Sequence, residues 1–170
     1  MNKYKIEKLI FYPLGFSLIF IFFYNIINYD PMSGYDAEGH HSYIDYIAMY
    51  LPRELKLPTV ESSREFFSPP IPYLLPAFFQ VICRNVLDSA DLVKTCQPIY
   101  GIFAQIFQSL LYFLSLFFYM KLFKVIYERK TLFNLNVLLV ISILTVNYRT
   151  FLMIRGEPYI IFLNSYLLYR

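Results

Sequence analysis

The chain has 170 residues, of which 58% are hydrophobic and 21% aromatic, while only 16% are charged. An ordinary soluble domain carries roughly a quarter charged residues, so this composition excludes that class and predicts an integral membrane protein. The net charge of +3 is small, and it bears on orientation in a bilayer, with no nucleic-acid partner expected.

Residues 9–29 form the first predicted membrane span. The run is uncharged and reaches the roughly 20 apolar residues that a hydrocarbon core requires. Lys3, Lys5 and Lys8 precede it. A secretory signal peptide would look similar, but the run is longer than a usual signal core and no small-residue cleavage site follows. We therefore expect a retained span with its N-terminus in the cytoplasm.

Three later segments are also predicted spans, at about 97–120, 131–148 and 158–170. The first two carry no charge. The chain ends inside the last one, and a span cut short would leave backbone groups unsatisfied in lipid. We therefore expect residues 1–170 to be a single membrane domain that forms the N-terminal part of a larger one, and that is not catalytic alone.

The stretch "FFSPPIPYLLPAFFQVIC", residues 66–83, is ambiguous. It is long enough to span, but it contains four prolines and Arg84 follows it directly. A span here would put the basic segment 121–130 on the same side as the acidic first loop, against the positive-inside rule. We therefore predict an interfacial helix, with residues 30–96 on the non-cytoplasmic side.

The first external loop contains "SGYDAEGHHSYIDYI", residues 33–47, and its apolar residues recur at helical spacing. This periodicity predicts a helix with one apolar face, which would lie on lipid or on other spans. The residues that define the face are Ile44, Ile47, Ala48 and Leu51.

The same helix places its ionisable residues on two sides. Asp36 and His40 are expected at the N-terminal end of this helix, on the side that faces the membrane. His41 and Asp45 point to the other side and are expected to face solvent. Asp36 can also be interpreted as an ordinary helix N-cap or turn residue. A zinc site is not favoured, because adjacent histidines point to different sides of a helix.

Cys83 and Cys96 are the two cysteines of the chain. They have neither metal-ligand spacing nor a histidine nearby. A disulfide between them is one alternative, but two buried thiols are the expected state.

Two elements of the loop occur in a characteristic order. Asp-x-x-x-His-x-x-Tyr is followed by a double proline and a tyrosine, at Asp36, His40, Tyr43, Pro69, Pro70 and Tyr73. This order, with an uncharged span, a basic turn, another span and "RGEP" after it, resembles the N-terminal region of the GT-C superfamily of polyprenyl-phosphate-sugar-dependent glycosyltransferases. Glycosyltransferase family 39 and mannosyl- or aminoarabinose-transferase-like proteins are the most similar groups.

The chain departs from that pattern at two places. Ala37 replaces the second acid of the family pair, with Glu38 one residue later. Ser68 stands where the family often has histidine or glutamate before the double proline. These departures bear on the exact family and on the donor sugar, while the Asp36 assignment is unaffected.

The resemblance implies an all-α integral membrane fold, a GT-C-like multi-span bundle with amphipathic juxtamembrane helices. It implies an inverting enzyme that moves a sugar from a polyprenyl-phosphate donor to an acceptor of unassigned kind on the non-cytoplasmic face. Asp36 would be the catalytic base, because the acceptor hydroxyl must lose its proton as it attacks. The implied substrate-binding residues are Glu38, His40, Tyr43, Arg149, Arg155 and Glu157.

Arg149 and Arg155 would offset the charge of the lipid phosphate, although interfacial arginines also anchor spans for structural reasons alone. No metal ligand or cofactor is assigned, and a divalent metal is left open. The alternative function is a non-enzymatic multi-span membrane protein, such as part of a transporter or an assembly subunit, whose first loop only packs on the membrane.

Overall fold

The computed structural model describes residues 3–34, 36–51, 53–86, 92–126, 131–147 and 154–170. Those residues form helices and no strand, so the predicted all-helical class is confirmed. The helices are α1 (Lys3–Asn28), α2 (Ala37–Tyr50), α3 (Ile71–Val86), α4 (Leu92–Ile126), α5 (Thr131–Asn147) and α6 (Glu157–Tyr169).

Two helices are long and apolar enough to cross a membrane, in α1 over Lys5–Asn28 and in α4 over Thr95–Ile126. Along α1, Leu9, Phe16 and Ile27 are 68%, 72% and 79% exposed. The core helix of a soluble protein would bury such side chains, whereas a helix surrounded by lipid presents them outward. Both helices coincide with predicted spans.

Helix α4 is much longer than the span predicted at 97–120. Its 35 residues extend about 52 Å at about 1.5 Å per residue, against a hydrocarbon core of about 30 Å. Because of this extra length, α4 packs into two separate buried clusters.

Two buried clusters lie along α4. One joins α1, α4 and α5 through Leu18, Phe22, Tyr112, Leu116 and Leu139. The other joins α2, α3, the N-terminal part of α4 and the segment before α6, through Tyr43, Ile44, Ile47, Ala48, Tyr73, Ala77, Tyr100, Ala104 and Ile154. The segment between α1 and α4 thus contributes to a core of its own.

The ambiguous proline-rich stretch forms α3, which begins after Pro69 and Pro70 and packs against α2 and α4. Its 16 residues fall short of the roughly 20 that a span needs. One face is buried in the loop core, while Ile71, Phe78 and Ile82 are exposed on the other. Apolar side chains therefore occupy both faces of α3, and its interfacial position stays a prediction.

Cys83 and Cys96 form a disulfide bond, with their Cα atoms 5.9 Å apart. The expectation of two buried thiols is therefore wrong. Sequence spacing did not indicate the pairing, because it arises from the packing of α3 on α4. That packing brings the end of α3 beside the start of α4.

The last two predicted spans fall on shorter helices. Helix α5 has 17 residues and packs on α1, while α6 has 13 and packs along α4. Both are apolar, but both are shorter than a typical span of about 20 residues. Their crossing of the membrane stays a prediction.

Candidate functional site

A polar cavity of about 330 Å³ lies where the N-terminal ends of α2, α3 and α6 meet. We call it the polar cavity. Its lining residues are Asp36, His40, Glu65, Ser68, Pro69, Pro72, Tyr73, Arg155, Gly156, Glu157 and Ile160. Of the residues predicted for the site, Asp36, His40, Arg155 and Glu157 are therefore brought together.

Asp36 directly precedes α2, yet its side chain makes no capping hydrogen bond to that helix. Instead, Oδ2 accepts a hydrogen bond of 3.3 Å from Nη2 of Arg155, which lies 119 residues away in the chain. The carboxylate of Asp36 is 39% exposed. Asp36 therefore occupies the N-cap position of α2 without a side-chain cap, and its side chain lines the polar cavity.

Arg155 lies between two acids. Besides Asp36, its Nη1 lies 3.8 Å from Oε1 of Glu157. Its Nε is buried and has no hydrogen-bond partner among the residues that the structure describes. A guanidinium has five N–H donors, and among the described residues Arg155 uses one of them in a hydrogen bond.

His40 is held by a pair of stacked tyrosines. Its Nδ1 lies 2.8 Å from the hydroxyl of Tyr73, whose ring stacks on that of Tyr43 with centroids 4.1 Å apart. The Tyr43 hydroxyl in turn donates to the carbonyl of Ser68 at 3.1 Å. His40 and Tyr73 line the cavity, and Tyr43 supports them from behind.

Burial determines the protonation states of His40 and Tyr73. It lowers the pKa of His40, with Glu65 acting in the opposite direction. It raises the pKa of Tyr73 to about 12. Tyr73 thus keeps its proton at neutral pH and can donate it to Nδ1 of a neutral His40, which leaves Nε2 as the N–H donor of that ring.

Glu65 is a site residue that the sequence pattern did not predict. Its Oε2 accepts a 2.8 Å hydrogen bond from Ser68, and its backbone N–H donates to Oγ of Ser63 at 3.1 Å. A Cβ on Gly39 would come within 3.0 Å of Cγ of Glu65, so the glycine makes room for this side chain. The signal available in the sequence was an acid three residues before Ser68.

The remaining predicted site residues are placed differently. Glu38 is exposed and does not line the polar cavity. Tyr43 is buried beneath Tyr73 and does not line it either. Arg149 lies outside the described residues.

His41 is buried, which contradicts the expectation that it faces solvent. It is 3% exposed, and its Nδ1 lies 2.7 Å from the hydroxyl of Tyr100. Its Nε2 lies 3.2 Å from the carbonyl of Pro31. The prediction failed because it assumed one covered face, whereas α2 lies in the loop core against both α3 and α4.

Asp45 is also not a free solvent-facing group. Its carboxylate accepts hydrogen bonds from the amides of Gln80 and Gln97, the latter at 2.8 Å. Arg84 lies 3.7 Å away as an ion-pair partner. Asp45 therefore links α2 to α3 and α4 by hydrogen bonds, close to the disulfide.

An apolar groove of about 450 Å³ adjoins the polar cavity. The two share the lining residues Pro69, Pro72, Gly156 and Ile160. The remainder of the apolar groove is formed by Ile71, Phe107, Leu111, Tyr159, Phe162 and Leu163, mainly along α4 and α6. A charged compartment therefore continues into a compartment without polar lining.

The described part of the chain contains no group of three or more His, Cys, Asp or Glu side chains that could hold a metal ion. Comparison with protein-family models, curated proteins and solved structures finds no match to this chain. The site itself is therefore the basis for the function proposed below.

Proposed function

We propose that this chain belongs to a membrane glycosyltransferase that moves a sugar from a polyprenyl-phosphate donor to an acceptor on the non-cytoplasmic face. The observation that carries the proposal is the continuity of the polar cavity with the apolar groove. A polyprenyl-phosphate sugar has a polar, anionic head and an apolar isoprenoid tail. Its two halves match the two compartments in chemistry and in order.

Asp36 supplies the base. A transfer to a hydroxyl acceptor requires removal of the hydroxyl proton during attack on the anomeric carbon, which a carboxylate within hydrogen-bond reach performs. Asp36 lies at the cavity and is partly exposed, so it can meet an acceptor entering from outside.

Arg155 and the start of α6 supply positive potential for the leaving phosphate. The guanidinium of Arg155 suits a phosphate because it can form paired, charge-assisted hydrogen bonds. Gly156 and Glu157, at the N-terminal end of α6, also line the cavity, and the helix dipole is positive at that end. Charge that develops on the phosphate would be offset there.

His40, Glu65 and Glu157 offer hydrogen bonds to sugar hydroxyls. All three line the polar cavity. An N–H donor on His40 combined with carboxylate acceptors suits a polyhydroxylated ligand.

The disulfide supports the proposed orientation. Cys83 and Cys96 are bonded, and disulfides persist in oxidising compartments outside the cytosol. The same side is assigned to the first loop by the positive-inside rule, from the basic segments at the N-terminus and at residues 121–130.

The decisive test replaces Asp36 with Asn in the full-length natural protein, reconstituted in liposomes and assayed with radiolabelled polyprenyl-phosphate sugars. Loss of the base should reduce transfer by about 10²- to 10⁴-fold. Glu61→Gln is the matched control, because Glu61 is an exposed acid of the same loop outside the cavity. Full activity of the Asp36→Asn variant would reject the role of Asp36, and no transfer by the unaltered protein with any donor would favour a non-enzymatic role.

A further inference from the structure

The contact between Arg155 and Asp36 is a single, partly exposed hydrogen bond. It measures 3.3 Å, with side-chain exposures of 24% for Arg155 and 39% for Asp36. Glu157 is more distant, at 3.8 Å, and 52% exposed. Partly exposed ion pairs of this kind contribute little to stability. The pair can therefore be broken readily by a better partner of either residue.

A phosphate group is a better partner for Arg155 than this carboxylate contact. Its oxygens can accept two parallel hydrogen bonds from one guanidinium, in place of the single bond to Asp36. Arg155 also has a buried Nε that has no hydrogen-bond partner among the described residues. It also lines the same polar cavity as Asp36, so a phosphate bound there would reach it.

We propose that Arg155 exchanges partners, pairing with Asp36 in the empty site and with a phosphate group when one enters the polar cavity. Phosphate binding then releases the Asp36 carboxylate, which becomes available to an acceptor hydroxyl. Arg155 is thus a positioning residue for the base as well as a ligand of the phosphate. The release of a base rests on the proposed function, whereas the competition for Arg155 rests on the geometry alone.

Competition between Asp36 and phosphate for Arg155 predicts how phosphate binding responds to a substitution of Asp36. Replacing Asp36 by Asn should strengthen phosphate binding, although it reduces transfer, because the guanidinium loses its closer carboxylate partner. A purely structural role for the pair predicts the opposite, since loss of the contact would loosen Arg155. General charge repulsion would also strengthen binding, but it would do so whether or not Arg155 is present.

A double-mutant cycle separates these cases. Binding of inorganic phosphate and of farnesyl monophosphate is measured by titration calorimetry on the full-length protein in nanodiscs. The proteins are the unaltered chain, Asp36→Asn, Arg155→Gln and the double variant. Asp36→Asn should tighten binding about two- to fivefold when Arg155 is present, and should leave it unchanged in the Arg155→Gln background.

Glu65→Gln is the matched control, because Glu65 is an acid of the same cavity with no ion pair to Arg155 among the described residues. Its effect on phosphate binding should be the same with Arg155 and with Gln at that position. Helical circular dichroism of each variant verifies that the fold is intact.

Equal tightening by Asp36→Asn in both backgrounds would overturn the exchange, as would weaker or unchanged binding when Arg155 is present. Tighter binding of farnesyl monophosphate than of inorganic phosphate assigns the ligand to a lipid, and equal binding assigns it to the free anion. Sugar transfer without coupling in the cycle would reject only the exchange. Coupling without transfer from any donor would reject only the glycosyltransferase function.

Discussion

The hydroxyl of Tyr100, in the long helix α4, lies 2.7 Å from Nδ1 of His41 in α2. The other nitrogen of the same ring lies 3.2 Å from the carbonyl of Pro31, just after α1. A carbonyl only accepts, so Nε2 carries a proton, and in the neutral ring Nδ1 accepts a hydrogen bond from Tyr100. One neutral imidazole therefore joins three parts of the chain, close to the polar cavity.

This arrangement predicts a pH-dependent stability. Burial lowers the pKa of His41 below its ordinary value of 6.5, although the carbonyl of Pro31 and the charge of Asp45 act in the opposite direction. The folded state thus binds fewer protons than the unfolded state, so stability is fully present above about pH 6.5 and decreases as the pH falls below it. Burial also lowers the pKa of His40, which adds to the effect.

The measurement is the thermal midpoint of the reconstituted protein between about pH 7.5 and about pH 5, followed by circular dichroism. We expect a lower midpoint at acidic pH and a smaller difference for His41→Gln. An unchanged difference in the variant would show that other groups cause the effect.

The disulfide should contribute substantially to the loop core. It joins residues 13 apart in the sequence, and closing a short loop in the unfolded chain is worth about 2–4 kcal/mol. Reduction, or replacement of Cys83 and Cys96 by serine, should lower the free energy of unfolding by about that amount. The serine variant is its own control, because reductant should no longer change its unfolding midpoint. If reductant also leaves the unfolding midpoint of the unaltered protein unchanged, the prediction is wrong.

Gly101 in α4 should not tolerate a larger residue. A Cβ at this position would lie 2.6 Å from Cβ of Pro31, and Pro31 is held by the hydrogen bond from His41. Gly101→Ala should therefore destabilise the protein by about 1–3 kcal/mol through overpacking. In Gly15→Ala, where a Cβ meets nothing within 4 Å, the loss of a helical glycine should instead stabilise by up to about 1 kcal/mol. Equal effects of the two substitutions on the unfolding midpoint would refute the close-contact argument.

Filling the apolar groove should distinguish donors by the length of their lipid. Leu163 lines the groove, so Leu163→Trp should raise the KM for a long-chain polyprenyl-phosphate sugar more than for a short-chain analogue. The bulkier side chain would occupy space that the far end of a long lipid tail requires. Leu167→Trp, one turn further along α6 and outside the groove, is the control. Parallel changes in KM for both donors would mean that the groove does not hold the tail.

Much of the fold follows from local patterns. Uncharged runs predicted the helices α1 and α4, and the spacing of Ile44, Ile47 and Ala48 predicted α2. These predictions succeed because a long apolar run must form a helix to satisfy its backbone in lipid, and because helical periodicity is a local property.

The candidate site was predictable only in part. Asp36, His40, Arg155 and Glu157 were selected from the sequence through a resemblance, and their convergence on one cavity required the structure. Glu65 was missed, because its place in the cavity depends on a turn held by Ser63 and on the space above Gly39. No periodicity encodes such a contact.

The sequence by itself determined that this is an apolar, helical chain with a polar first loop, since composition and spacing act residue by residue. Only the tertiary structure decided which polar groups face the cavity and which are buried in hydrogen bonds between helices. His41 and Asp45 looked exposed because one helix face was considered, but α3 and α4 cover the second face. Likewise, Asp36 meets Arg155 across 119 residues, because packing brings the starts of α2 and α6 together.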